Sequence, residues 1–216
     1  RHTRSSLVRG LGDVYKRQVY LLTVYLADKL GKLSEKEYAH YLSELQSLPD
    51  KIEETLETRG HVREIASRFC KSENIFFIGR NLDYAMSLEG SLKLKEISYI
   101  HSEAYAAGEL KHGPISLIEE GTLVVALATQ DRLFDKMMSN IKEVKARGAV
   151  VLGLAEEGHE RIEKETDCAF YIPKACDMMF PSLAVLPLQM FSYYIAALKG
   201  CDIDKPRNLA KSVTVE

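Results

Sequence analysis

Four short apolar runs alternate with segments of helical periodicity, and this alternation is the feature that most restricts the fold. The runs occupy residues 74–79, 123–128, 150–155 and 169–172. Strands that are buried on both faces of a parallel sheet lack a polar side, so they appear in a sequence as continuous apolar runs. Their alternation with helices of about 15 residues predicts an α/β fold. We expect a three-layer sandwich, with a mainly parallel sheet between two layers of helices.

Helical periodicity predicts the remaining elements. Ser34 is a suitable N-cap with Glu37 three residues later, which is the pattern of a capping box. Pro49 should restart the chain between two helices, whereas Pro187 should bend the last helix or reset its start. Residues 201–216 lack periodicity and are expected to form an irregular tail. The predicted helices cover residues 19–33, 34–48, 50–58, 62–71, 84–99, 132–147 and 182–198.

Composition excludes several classes of protein. The 216 residues carry a net charge of −2, which argues against binding to nucleic acid or to an anionic membrane surface. The longest apolar stretches are interrupted by Asp, Lys or Pro, so no transmembrane span is predicted. The four cysteines form no C-x-x-C pair, which favours a reduced, cytoplasmic protein without a zinc site.

Residues 1–18 differ in character from the rest of the chain. They contain five Lys or Arg residues against a single acidic residue, Asp13, and show no clear helical or strand period. This segment is either a disordered arm or a non-native leader. We favour the leader and leave these residues out of the fold prediction.

The helix predicted over residues 84–99 carries a row of charged side chains. Glu89, Lys93 and Glu96 are spaced by four and then three residues, so they share one face. Such a face is ordinarily solvated and held by weak ion pairs. Carboxylates beside an ammonium group are also the residue types needed for proton transfer, provided that other titratable groups lie nearby.

The segment over residues 101–114 supplies further titratable groups. It connects a helix to the strand at residue 123, and ligands of open α/β sheets bind where such loops leave the carboxyl ends of strands. His112 lies just before Gly113 and Pro114 and becomes an acid or base candidate if it lies near Glu96. Arg80, which follows a strand-ending glycine, is a weaker candidate for binding a phosphate.

Three stretches resemble a known family. Residues 88–101, 103–114 and 204–216 closely resemble the second sugar isomerase (SIS) domain and the C-terminal tail of the glucosamine-6-phosphate synthases. The resemblance extends from about residue 19 to the end. It implies a helical segment over 19–72 that follows a first SIS domain, an SIS domain over 73–200, and a catalytic tail over 201–216.

The resemblance also implies a reaction and its residues. Members of this family combine ammonia from glutamine with fructose 6-phosphate, and no cofactor is implied. By motif match, Glu96 moves a proton between C1 and C2, and Lys93 stabilises the enolamine-like intermediate. His112 opens the sugar ring in the neighbouring subunit of a homodimer, and Lys211 meets the sugar carbonyl, possibly as a Schiff base. The candidate substrate-binding residues are Arg80, Glu89 and Ala210.

Relative to this family, the sequence contains neither a glutaminase domain nor a first SIS domain, whose Ser/Thr-rich loops grip the sugar phosphate. We therefore expect the chain alone to have little or no synthase activity. Two alternatives remain: a stand-alone SIS module that binds a sugar phosphate, and a simple phosphosugar isomerase that uses no ammonia. The presence of all four candidate catalytic residues, Lys93, Glu96, His112 and Lys211, argues against a module that only binds. The family-like tail argues against a simple isomerase.

Overall fold

A computed structural model describes residues 5–207, with side chains described from residue 17 onward. The chain divides into two compact units, Arg1–Pro49 and Asp50–Glu216. The helices are α1 (Ser5–Lys29), α2 (Glu35–Glu57), α3 (Arg59–Phe69), α4 (Leu82–Ser98), α5 (Phe134–Lys145), α6 (Arg161–Glu165) and α7 (Phe180–Leu198). The strands are β1 (Asn74–Gly79), β2 (His101–Ala106), β3 (Leu123–Ala128), β4 (Val150–Glu156) and β5 (Cys168–Ile172).

The second unit is built on a five-stranded parallel sheet in the order β2-β1-β3-β4-β5. β1 is a central strand, and its Phe77 lies between Ala104 of β2 and Val125 of β3. The predicted α/β fold with a parallel sheet flanked by helices is confirmed. All four predicted strands are present, and each begins within one residue of the expected position.

Helices cover the sheet on both faces. On one face, Phe76 and Ile78 of β1 join a buried cluster with residues of α5 and α6. On the other face, Phe77 points toward α4 and α7, and α3 packs against α7. Alternate residues of β1 thus pack against helices on opposite faces of the sheet. This explains why the apolar run at residues 74–79 has no polar side.

The first unit confirms the predicted cap of α2. The Ser34 N–H donates to the Glu37 carboxylate at 2.8 Å, and the Glu37 N–H donates to the Ser34 hydroxyl at 3.3 Å. α1, in contrast, begins at Ser5 rather than at residue 19. The absence of a helical period in residues 1–18 therefore did not predict the backbone of the part that the structure describes, from Ser5 onward.

Pro49 was expected to restart the chain, but α2 continues through it, so this prediction was wrong. α7 continues through Pro187 from a start at Phe180, so this proline does not reset the start of the helix. A proline removes one backbone hydrogen bond, so a helix held by other contacts continues through it. Pro187 and its neighbour Leu188 are buried in α7, where packing stabilises the helix.

The edge strand β2 was not predicted. Its sequence, HSEAYA, contains a histidine and a glutamate, and we expected a loop there. An edge strand pairs on one side only, so polar side chains remain partly exposed and no apolar run appears. Its pairing with β1 is a tertiary contact that local sequence does not encode.

Among the residues that the structure describes, α7 alone has the length and apolar composition of a membrane span. Half of its most apolar window is buried, and the helix packs against α3 and α4. Such burial is typical of a core helix. Length and composition are therefore weak evidence for a span.

Candidate active site

α4 is fixed at its first turn by two close contacts with the sheet. A Cβ atom at Gly79 would lie 2.4 Å from the backbone carbonyl carbon of Asp83, so only glycine permits this tight turn from β1 into the helix. The buried Asp83 carboxylate accepts the Thr129 hydroxyl at 2.6 Å and the Thr129 N–H at 3.1 Å. Burial raises the pKa of Asp83, and the bonds from Thr129 oppose that rise. These contacts set the position of every later residue of α4.

The three charged residues of α4 lie together, as their spacing predicts. Lys93 Nζ is 2.8 Å from Glu96 Oε2 and 3.8 Å from Glu89 Oε1. Each of the three side chains is about one-third exposed. The ammonium group therefore lies between two carboxylates on a face that a small polar molecule can reach.

Glu96 accepts a hydrogen bond from Lys93 through Oε2 at 2.8 Å. A carboxylate that is about one-third exposed and lies beside an ammonium group suits general base catalysis.

His112 is placed elsewhere. It ends a short 3-10 turn, Leu110–His112, that the buried Leu110 anchors. Its side chain is 62% exposed, and Nε2 lies 3.8 Å from Glu109 in the same turn. Within the described part of the chain, no direct contact joins His112 to Lys93 or Glu96. An imidazole exposed in this way is accessible from outside the chain.

Arg80 also lies away from Glu96. Its Nε donates to Asn140 Oδ1 at 3.0 Å, and its carbonyl accepts from Gln130 Nε2 at 2.8 Å. Arg80 precedes α4, whereas Glu96 lies fourteen residues into the helix, which corresponds to about 20 Å of axial rise. The two side chains therefore do not share a binding site within one chain.

The tail returns to the α4 end that carries Glu96. Lys211 and Ala210 lie outside the described residues, but Arg207 is described. Its backbone N–H donates to the Tyr99 hydroxyl at 3.1 Å. Sequence reasoning missed Tyr99 because nothing in its local pattern signals a contact 108 residues away.

A separate cleft of about 530 Å³ lies beside the edge strand β5. Its lining includes His61, Arg68 and Cys168 and none of the predicted site residues. Burial raises the pKa of the Cys168 thiol to about 11, so this group is a poor nucleophile. The cleft therefore adds nothing to the chemistry on α4.

Fold and sequence together define the class of protein. The family model described as "SIS domain" matches residues 68–199, which is more than half of the chain. The chain belongs to the SIS domain family.

Comparison with individual relatives is more specific. The chain is 58% identical over 198 residues to glutamine–fructose-6-phosphate aminotransferase (isomerizing) of Clostridium tetani, covering 92% of this chain and 33% of the relative. The corresponding protein of Symbiobacterium thermophilum is 53% identical over 205 residues, covering 94% and 34%. The chain thus spans about one-third of the length of these relatives.

The comparison with solved structures agrees. The C-terminal domain of glucosamine-fructose-6-phosphate aminotransferase from Francisella tularensis matches with a TM-score of 0.79 and 34% identity, covering 85% of this chain and 52% of that one. A putative phosphosugar isomerase from Salmonella typhimurium, at 15% identity and a TM-score of 0.69, shows the shared fold alone. The resemblance drawn from the three sequence stretches is confirmed.

Proposed function

We propose that this chain is the isomerase portion of an enzyme that converts fructose 6-phosphate and glutamine-derived ammonia into glucosamine 6-phosphate. The observation that carries the proposal is the 2.8 Å contact between Lys93 Nζ and Glu96 Oε2 on the accessible face of α4. The identity of 58% to the Clostridium tetani aminotransferase supports it.

Glu96 is the proposed proton carrier. After ammonia has displaced water to form an imine at C2 of the sugar, the Glu96 carboxylate removes a proton from C1 while the imine nitrogen takes up a proton from water, which gives an enolamine. The same carboxyl group returns its proton to C2 while the C1 hydroxyl gives up its proton to water, which gives the 2-amino aldose. One carboxylate beside two adjacent carbons is sufficient for this transfer. The Lys93 ammonium stabilises negative charge that develops on the intermediate.

The remaining roles are those that the family resemblance implies. We propose that Lys211 of the tail meets the sugar carbonyl, where a lysine amine forms an imine that ammonia then replaces. We also propose that His112 opens the sugar ring in a neighbouring subunit, because its exposed turn lies apart from Glu89, Lys93 and Glu96. The role of His112 requires a homodimer, and both roles require a phosphate-binding domain as a partner. Glu89, which contacts Lys93, and Ala210 are proposed to contact the substrate.

The first prediction tests Glu96. The gene is extended upstream, and the complete protein is assayed for glucosamine 6-phosphate with fructose 6-phosphate and glutamine. Glu96→Gln should lower kcat by about 10²–10⁴-fold, because an amide cannot accept the proton. Glu157→Gln, an exposed site outside the helix, is the matched control and should keep its rate.

Three outcomes would count against the proposal. Full activity in Glu96→Gln would remove the proton carrier. Formation of glucose 6-phosphate at the same rate with and without an ammonia source would favour a simple isomerase. Tight binding of fructose 6-phosphate by the complete protein without turnover would favour a binding module instead.

A further inference from the structure

Tyr99 ends α4 in a backbone conformation that tyrosine rarely adopts. Its φ and ψ are 60° and 17°, and its N–H donates to the Lys95 carbonyl at 3.2 Å. Asn81 and Tyr99 are the two non-glycine residues with positive φ in the described part of the chain. Glycine or asparagine would occupy this position with less strain. A tyrosine at this strained position suggests that its side chain makes a contact that the structure requires.

The side chain of Tyr99 holds Arg207 in two ways. The phenol oxygen accepts the backbone N–H of Arg207 at 3.1 Å. The guanidinium carbon of Arg207 lies 3.7 Å from the centre of the Tyr99 ring, which is a close cation–π contact. One aromatic side chain therefore binds both the backbone and the side chain of a single tail residue.

The segment before Arg207 is folded so that it presents this residue to Tyr99. The Asp202 carboxylate accepts the backbone N–H groups of Asp204 at 3.1 Å and Lys205 at 3.0 Å. Pro206 is buried even though its neighbours are exposed. The turn and the buried proline direct the chain back onto the end of α4.

We propose that Tyr99 is a positioning residue that clamps the C-terminal tail onto the helix carrying Lys93 and Glu96. Tyr99 follows Glu96 by three residues, and Arg207 precedes Lys211 by four. The contact between Tyr99 and Arg207 therefore lies at the end of α4 that carries Glu96. The roles of Glu96 and Lys211 rest on the proposed function, whereas the clamp does not.

Limited proteolysis tests whether Tyr99 holds Arg207, and it requires no measurement of synthase activity. Trypsin cleaves after Arg207 only when the guanidinium leaves the Tyr99 ring and enters the protease. The purified 216-residue chain is treated with limiting trypsin, and peptides that begin at residue 208 are quantified by mass spectrometry. We expect Tyr99→Asn to release these peptides about tenfold faster, because this variant loses both the cation–π contact and the hydrogen bond. Tyr99→Phe keeps the ring and should behave like the unmodified chain within about threefold.

A second readout separates the two contacts. The Arg207 amide should exchange its hydrogen severalfold faster in Tyr99→Phe, which lacks the accepting oxygen. Asparagine tolerates positive φ, so Tyr99→Asn should keep or raise the melting temperature while it releases the tail. A residue that serves only to end the helix would not combine a stable fold with a loosened tail.

Tyr193→Asn is the matched control. This tyrosine is exposed on α7, and the substitution should leave cleavage after Arg207 unchanged. An unchanged cleavage rate in Tyr99→Asn would overturn the clamp, whatever the outcome of the activity assays. Equal acceleration in Tyr193→Asn would also overturn it, because the effect would then be a general loosening of the fold.

Discussion

Two glutamates show how surroundings set the behaviour of a single residue. Glu96 lies on the surface of α4 beside an ammonium group. Glu156, at the end of β4, is only 8% exposed and accepts a backbone hydrogen bond from Ala175. Burial is the largest influence on Glu156, and with the nearby Asp131 it raises the pKa from 4.5 to about 7. A carboxyl group with this pKa titrates near neutrality.

The raised pKa of Glu156 predicts a pH-dependent stability. The folded state holds the proton more tightly than the unfolded state, so this stabilisation is complete below pH 4.5 and is lost as pH rises to about 7. Glu156→Gln imitates the protonated form. Between pH 5 and pH 8 the variant should therefore lose less free energy of unfolding than the unmodified chain, by about 1–3 kcal/mol.

Urea unfolding at the two pH values measures this difference. Glu157→Gln, one residue further on and exposed, is the control and should follow the unmodified chain. Identical pH dependence in Glu156→Gln and the unmodified chain would show that Glu156 is ionised throughout the range.

At the scale of elements, the contact of α4 with β1 and α7 determines where the charged face lies. Gly90 sits at this contact: a Cβ atom there would lie 2.9 Å from Leu188 Cδ1 and 3.0 Å from Phe77 Cε1. The absent side chain lets the helix approach both neighbours closely. Glu89 and Lys93 lie on the charged face and remain about one-third exposed.

The same substitution should act in opposite directions at two helical glycines. Gly90→Ala should lower the free energy of unfolding by about 1–2 kcal/mol, because overpacking outweighs the better helix propensity of alanine. Gly60→Ala in α3, where nothing lies within 4 Å of the new Cβ, should raise it by about 0.5 kcal/mol. Urea unfolding measures both changes. Equal effects at the two sites would contradict the close packing of α4.

At the scale of the whole molecule, the predicted residues that lie within the described part of the chain occupy separate places. The Lys93–Glu96 pair lies on the outer face of α4, His112 lies on an exposed turn, and Arg80 precedes the other end of the helix. A catalytic site built from these residues requires surfaces that one chain does not bring together.

This separation predicts weak catalysis by the chain alone. With fructose 6-phosphate and ammonium chloride, the 216-residue chain should form glucosamine 6-phosphate at least about 100-fold more slowly than the complete protein, because the sugar phosphate is not held in a reactive position. A coupled assay for the amino sugar measures the rate. Comparable rates would show that the chain carries its own phosphate site.

Local sequence was sufficient for the elements whose signals are local. The strands at residues 74–79 and 123–128 appear as apolar runs. The grouping of Glu89, Lys93 and Glu96 on one face of α4 follows from their spacing alone. It was insufficient for β2, whose polar residues form a strand only because β1 lies beside it. Helix continuity through Pro49 likewise depends on more than the local pattern.

The sequence by itself determined the fold class, the shared face of Glu89, Lys93 and Glu96, and the resemblance to the SIS domain, since all three depend on short-range periodicity or on motif identity. Tertiary structure alone decided the pairing of β2 with β1 and the contact of Tyr99 with Arg207. Such contacts join residues far apart in the chain, and packing and hydrogen-bond geometry in three dimensions select them.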